Sequence, residues 1–239
     1  MRARPRVLAI HGAVANAAAW LGLERELGAA LPVDAPDLPG HGLRRAEPFV
    51  LEAVVSELSA RAREVQASAP LLLAGDSLGG YLALAVAARL DTPPLGVLAG
   101  GCTFAMRGVA GAMARLTLGA DAVAKLDGER AAARFFAGVL RREAGAEVGA
   151  AIVDRGLNVA MRAATLRALL GYDVLADVRA VAAPVVFING ARDVPIVWLA
   201  PRFARAARAG RAIAVPGVGH GVALLRPRAF AAALLALLS

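Results

Sequence analysis

The chain of 239 residues carries a formal net charge of +8, with 58% hydrophobic and 19% charged residues. That composition excludes an intrinsically disordered segment, and the length suits a compact domain with a sizeable core. The single cysteine, Cys102, excludes an internal disulfide; no Cys/His cluster has metal-ligand spacing; and the basic charge is almost all arginine, scattered between alanines as on solvated helix faces rather than a nucleic-acid surface.

Short apolar runs alternate with alanine-rich helical patterns. The runs are Val7–Ile10, Leu31–Ala35, Leu71–Ala74, Leu95–Ala99, Val185–Ile188 and Ala212–Val215. Each ends in Gly, Pro, Asp or His, and such runs read as strands buried on both faces. Helical patterns occupy Ala18–Ala30, Leu51–Gln66, Leu78–Arg89, Trp198–Ala209 and Arg228–Leu237. The alternation predicts an α/β fold with a mostly parallel, doubly wound sheet. The interval from Ala99 to Val185 breaks the rhythm, because a single crossover needs far fewer residues. Helical patterns fall there at Gly108–Leu118, Glu129–Arg142 and Asn158–Leu170. The expectation is a single domain over 1–239, with a helical cap from about Phe104 to Gly171 over the carboxyl end of the sheet. The amino-terminal residues contain no apolar run of signal-peptide length, and no stretch is long enough to span a bilayer. A soluble cytoplasmic protein without membrane contact is therefore expected.

In open α/β sheets, reacting groups gather behind the carboxyl ends of the strands. After Leu71–Ala74 comes Gly75-Asp76-Ser77-Leu78-Gly79-Gly80 and then a helix. This G-x-S-x-G pattern between strand and helix marks Ser77 as a candidate nucleophile on a sharp turn, with the Leu78 amide aimed at the reaction centre. The plainer reading of such a serine is a helix N-cap. After the first strand, His11-Gly12-Ala13 offers the Ala13 amide as a second oxyanion donor. His11, and His41 in Asp37-Leu38-Pro39-Gly40-His41-Gly42, read as braces of their loops. His220, in Gly219-His220-Gly221 after the last strand, is better placed to be the base. Asp193 is the carboxylate close behind Val185–Ile188, and the order Ser, Asp, His along the chain makes it the acid that orients the histidine.

G-D-S-L-G-G, the early H-G, D-L-P-G-H-G, N-G-x-x-D and the late G-H-G, in that order, resemble the α/β-hydrolase superfamily, and more narrowly its single-domain serine esterase branch with a helical cap. The resemblance covers nearly the whole chain and is weakest in the cap. It implies Ser77, Asp193 and His220 as a catalytic triad and the Ala13 and Leu78 amides as the oxyanion hole. Relatives usually carry an antiparallel hairpin before the H-G strand; only a few residues precede it here, so about six strands, all parallel, are expected.

The implied activity is hydrolysis of carboxylic esters of small or medium apolar substrates through an acyl-enzyme, with no metal or organic cofactor. The partner would be a small acyl substrate, and the assembly a monomer or homodimer. Thioester, lactone or C–C bond hydrolysis on the same triad, and a receptor-like, non-catalytic member of the fold, are the alternatives. Phe104, Met106 and Trp198 are candidate pocket residues, as are Phe135 and Phe136 within the cap.

Overall fold

The computed structural model describes residues 3–108, 111–112 and 129–238. Six strands form one sheet: β1 (Arg6–Ile10), β2 (Val33–Asp34), β3 (Leu71–Asp76), β4 (Gly96–Gly100), β5 (Val185–Gly190) and β6 (Gly210–Val215). Their order is β2-β1-β3-β4-β5-β6, and every pairing is parallel. Along β1, Leu8 and Ile10 join one buried cluster, whereas Val7 and Ala9 join another. Leu71 and Leu73 alternate with Leu72 and Ala74 in the same way. This two-residue period places apolar side chains on both faces, which is why the strands read as unbroken apolar runs.

Helices α1 (Leu21–Leu27), α2 (Leu51–Gln66) and α3 (Leu78–Ala87) lie between the early strands, and α8 (Ile196–Ala206), α9 (Val222–Leu225) and α10 (Pro227–Leu235) follow β5 and β6. Between β4 and β5 the described residues hold α4 (Glu129–Glu143), α5 (Ala146–Gly156), α6 (Met161–Leu169) and α7 (Val174–Ala180). Of the pattern read as helical over 108–118, residues 109–110 and 113–118 lie outside the described residues. Helices α5 and α7 are additions to the elements read from sequence.

The α3 helix is buried along its whole length, between the sheet and α2 and α7. Two glycines let it sit that close. A methyl group at Gly79 would lie 1.7 Å from the Ile10 carbonyl oxygen, and one at Gly75 would lie 2.0 Å from the Gly79 carbonyl oxygen. Both obstacles are backbone, which no rotamer change relieves. Gly79→Ala is therefore expected to destabilise the fold by about 3 kcal/mol or more, read as a lower denaturation midpoint. A midpoint unchanged from wild type would contradict this packing.

The segment between β4 and β5 is tied to the loops behind β1 and β2. Asn16 Nδ2 donates to the Ile152 carbonyl at 2.8 Å, and Asn158 Nδ2 donates to the Gly40 carbonyl at 2.8 Å. Arg155 Nε donates to both oxygens of the buried Asp37 carboxylate, at 3.0 and 2.9 Å. Asp37 also accepts from the Ala17 and Leu43 amides. These bonds hold α5 over the carboxyl ends of the strands.

Candidate active site

Ser77 occupies the turn between β3 and α3. Its φ is +58°, the one positive value among the described non-glycine residues. A conformation of that kind costs about 1–3 kcal/mol and persists only where the surroundings impose it. Here α3 and β3 meet at the Gly75–Gly79 contact, and the Ser77 amide donates to the Gly100 carbonyl at 2.8 Å. The turn carries Ser77 Oγ to 2.8 Å from His220 Nε2. On the other side of the ring, His220 Nδ1 donates to Asp193 Oδ2 at 2.8 Å. The three side chains come from the loops behind β3, β5 and β6, so a parallel sheet brings together residues far apart in sequence.

Burial is the largest influence on His220 and pulls its pKa down. The hydrogen bond and charge of Asp193, with the charge of Asp76, outweigh it, and the ring holds its proton above the ordinary histidine value. The imidazole is 46% exposed and the Asp193 side chain 11% exposed. The carboxylate is thus shielded while the ring faces the cavity.

The other two histidines make different contacts. His11 Nδ1 donates to the Gly12 carbonyl at 2.9 Å, and its Nε2 accepts from the Leu38 amide at 3.1 Å. Burial, then the neighbouring His41, push its pKa down to about 3, so the ring is neutral at physiological pH. The His41 nitrogens lie 2.9 Å from the Pro39 carbonyl and 2.8 Å from the Ala13 carbonyl. The two rings meet edge to face at 5.0 Å. Together they brace the loop that carries Ala13. Gly12 brings that loop against the Ser77 turn, for a methyl group there would sit 3.3 Å from Ser77 Cβ. The Ala13 and Leu78 residues both line the cavity above Ser77, and neither amide donates to a protein acceptor among the described residues.

That cavity has a volume of about 670 Å³ and is mostly apolar. Phe104 and Met106 line it, as does Phe136; the Phe135 side chain lies outside the described residues. Trp198 does not line it. It is 72% exposed on α8, whose buried residues are Ala200 and Phe203. Two residues correspond to about 200° of helical rotation, so Trp198 falls on the face opposite Ala200. A large apolar side chain in the sequence was the only signal for it, and that signal does not distinguish helix faces.

Several contributors were not singled out as site residues in the sequence, although Asn189 opens the N-G-x-x-D motif. Asn189 Oδ1 accepts from the Gly101 amide at 3.0 Å, and its Nδ2 donates to Thr103 Oγ1 at 3.3 Å. Thr103 in turn donates to the Ile196 carbonyl at 2.6 Å, tying the end of β4 to the loop that holds Asp193. Tyr81 OH donates to the Phe104 carbonyl at 2.7 Å and fixes the backbone of that cavity residue. Cys102 is fully buried, and burial raises its thiol pKa well out of the reactive range. Among the described residues no group of three or more His, Cys, Asp or Glu side chains is placed to hold a metal ion. No helix of the described residues is long and apolar enough to cross a membrane.

Known proteins resemble this chain in part of its sequence or in its fold. The chain is 39% identical over 84 residues to the lipase LipV of Mycobacterium tuberculosis, a match covering 35% of this chain and 31% of that one. It is 42% identical over 85 residues to a pimeloyl-[acyl-carrier protein] methyl ester esterase of Neisseria meningitidis, covering 35% of this chain and 26% of the relative. The chain thus matches about a third or less of the length of these relatives. The solved structure of E-2-(acetamidomethylene)succinate hydrolase has the same fold, with a TM-score of 0.77 at 21% identity, over 99% of this chain and 92% of that one. The model of the Alpha/beta hydrolase family matches residues 7–233, nearly the whole sequence, and the chain belongs to that family.

Proposed function

We propose that the protein is a serine hydrolase that cleaves carboxylic esters with small or medium apolar groups. The observation that carries this reading is the relay Asp193–His220–Ser77, with two 2.8 Å hydrogen bonds, at the wall of an apolar cavity of about 670 Å³. His220 Nε2 takes the Ser77 proton as Oγ attacks the ester carbonyl, and the carbonyl electron pair moves onto oxygen. The Ala13 and Leu78 amides stabilise that oxyanion, each donor contributing about 3 kcal/mol in the transition state. The imidazolium, held by Asp193, then protonates the departing alkoxide, leaving an acyl group on Ser77. Water, deprotonated by the same ring, attacks the acyl-enzyme; the acid departs and Ser77 recovers its proton.

Residues from about Phe104 to Gly171 act as a cap that selects the substrate. Support comes from the cavity lining, which draws Met106, Phe136, Leu140 and Leu166 from this segment. The lipase and methyl ester esterase among the relatives support ester chemistry.

The test is a p-nitrophenyl ester series with pre-steady-state detection. A burst of p-nitrophenol, followed by slower turnover, is expected, together with labelling of Ser77 and no other serine by a fluorophosphonate. Absence of turnover on esters and thioesters, with tight binding of an apolar ligand, would instead mark a binding protein.

Phe104 tests the cap. Its backbone is fixed by Tyr81, so Phe104→Ala removes bulk from the cavity without freeing the chain. The ratio of kcat/KM values should move toward bulkier esters by about tenfold or more, since one methylene in a close-fitting pocket is worth about 1–3 kcal/mol. An unchanged chain-length profile with a large loss of thermal stability would make Phe104 a core residue instead.

A further inference from the structure

Asp76, the residue before the candidate nucleophile, has no part in the relay, yet it is buried, with 7% of the residue exposed. Oδ1 has no hydrogen-bond partner within bonding distance; among the buried side-chain nitrogen and oxygen atoms of the described residues it shares this only with Trp20 Nε1. Oδ2 accepts one long bond, 3.3 Å from the Ala223 amide. Buried carboxyls are ordinarily hydrogen-bonded on both oxygens, so an orphaned one at an active centre calls for a reason.

The neighbourhood supplies it. A methyl group at Gly101 would lie 2.9 Å from His220 Cε1 and 3.4 Å from Asp76 Oδ1, so both atoms border the same small gap. A methyl group at Gly100 would come within 2.6 Å of Oδ1, and one at Gly221 would lie 3.9 Å from Oδ2. Glycines at the end of β4 and in the His220 loop therefore leave room for this carboxyl beside the ring. Cε1 lies between the two ring nitrogens, which Asp193 and Ser77 already engage. It is an edge of the imidazolium that neither of these partners occupies.

The titratable groups facing Asp76 are His220 on the loop after β6, Asp193 on the loop after β5 and Cys102 behind β4. Tyr81, on α3, faces Cys102 and Asp193. Burial pushes the Cys102 and Tyr81 pKa values up, and both stay neutral. His220 is thus the one member of this group that becomes a cation. Burial raises the Asp76 pKa, and the charge of Asp193 adds to this; His220, the Ala223 amide and the Ser77 amide act in the opposite direction.

We propose that Asp76 is a second carboxylate partner of His220, a positioning residue that stabilises the imidazolium formed when Ser77 is deprotonated. The inference rests on His220 being the base for Ser77. In the ground state the cost of an unpartnered buried carboxylate is carried by the folded protein; as the ring gains a proton, Asp76 gains an opposite charge close by. Interaction stronger in the charged intermediate than in the resting state is what accelerates the step.

Asp76→Asn tests this, because the amide keeps the shape and can still accept from Ala223. The His220 ring should then titrate about one pH unit lower, followed by ¹⁵N NMR of the imidazole. The rising limb of kcat/KM for p-nitrophenyl acetate should shift with it. The rate at the plateau should fall about tenfold through kcat, with KM unchanged. A rate loss with the ring titration unmoved would reduce Asp76 to a brace for Ala223 and overturn the proposal. Should Asp76→Asn not fold, the wild-type protein answers: the ¹³C carboxyl shift of Asp76 should step at the pH where His220 titrates, and a flat trace there would overturn it. The ring titration needs no turnover, so it is separable from the reading beneath it, which a fully active Ser77→Ala variant would defeat.

Discussion

Replacement of Ser77 by alanine is expected to lower kcat by about 10³-fold or more for every ester tested, with the fold intact. The change removes only Oγ. Alanine has the same difficulty as serine at a φ of +58°, so the strain of the turn is carried over and the melting temperature should barely move. On the proposed mechanism, what remains is the rate the Ala13 and Leu78 amides and the cavity supply to attack by water. Steady-state kinetics on purified protein, with circular dichroism to check the fold, decide the matter. A variant retaining a tenth of wild-type activity would remove Ser77 from the chemistry.

His220→Ala should cost as much, and the double variant with Ser77→Ala should be little worse than either single one, because the two side chains act as a unit. His41→Ala should differ in kind. It leaves the Ala13 carbonyl without its 2.8 Å partner and should cost stability, about 1–3 kcal/mol, before it costs rate. The pH profile adds a directional check. His220 must be neutral to accept the Ser77 proton, so kcat/KM rises with pH as the ring loses its own. Asp193 and Asp76 hold the ring's proton above the usual value, so the midpoint of the rising limb should lie above the 6.5 of an unperturbed imidazole. A midpoint well below 6.5, or full activity in the His220 variant, would reject the assignment.

The parts of this molecule legible in its sequence are those governed by local pattern. Buried parallel strands are short apolar runs, and β3, β4 and β5 are found where such runs stand. One edge strand is the exception. Leu31–Ala35 reads as a strand, but only Val33 and Asp34 pair with β1, whereas β6, at the other edge, pairs with β5 over its whole length. That Ser77, Asp193 and His220 meet was legible because each follows the carboxyl end of a strand, in a turn that contains glycine. Helix α5 was not, since Gly145, Gly149 and Gly156 interrupt its apolar pattern and read as breakers. Tertiary packing accounts for it: a methyl group at Gly149 would meet the Arg141 backbone at 2.7 Å, so α4 and α5 cross where only glycine fits. The Asp37–Arg155 pair joins residues that no local pattern relates. Asp76 was hidden differently: it fills the variable position of G-x-S-x-G, where sequence alone assigns no task.

Closing the chain between Gly100 and Val185 is entropically cheap for its length. Closure entropy grows with the logarithm of the number of residues, so a crossover a quarter as long would recover only about 1 kcal/mol. Burial of Val148, Ile152 and Leu169 outweighs that, since each aliphatic side chain withdrawn from water contributes about 1.5–3 kcal/mol. The helices above the sheet are therefore kept in place by the desolvation of their undersides, and connectivity contributes little. Lengthening or shortening the crossover would leave the register of Val97 with Val185 and of Gly100 with Ile188 almost undisturbed. The segment that shapes the cavity is the one whose length the sheet constrains least.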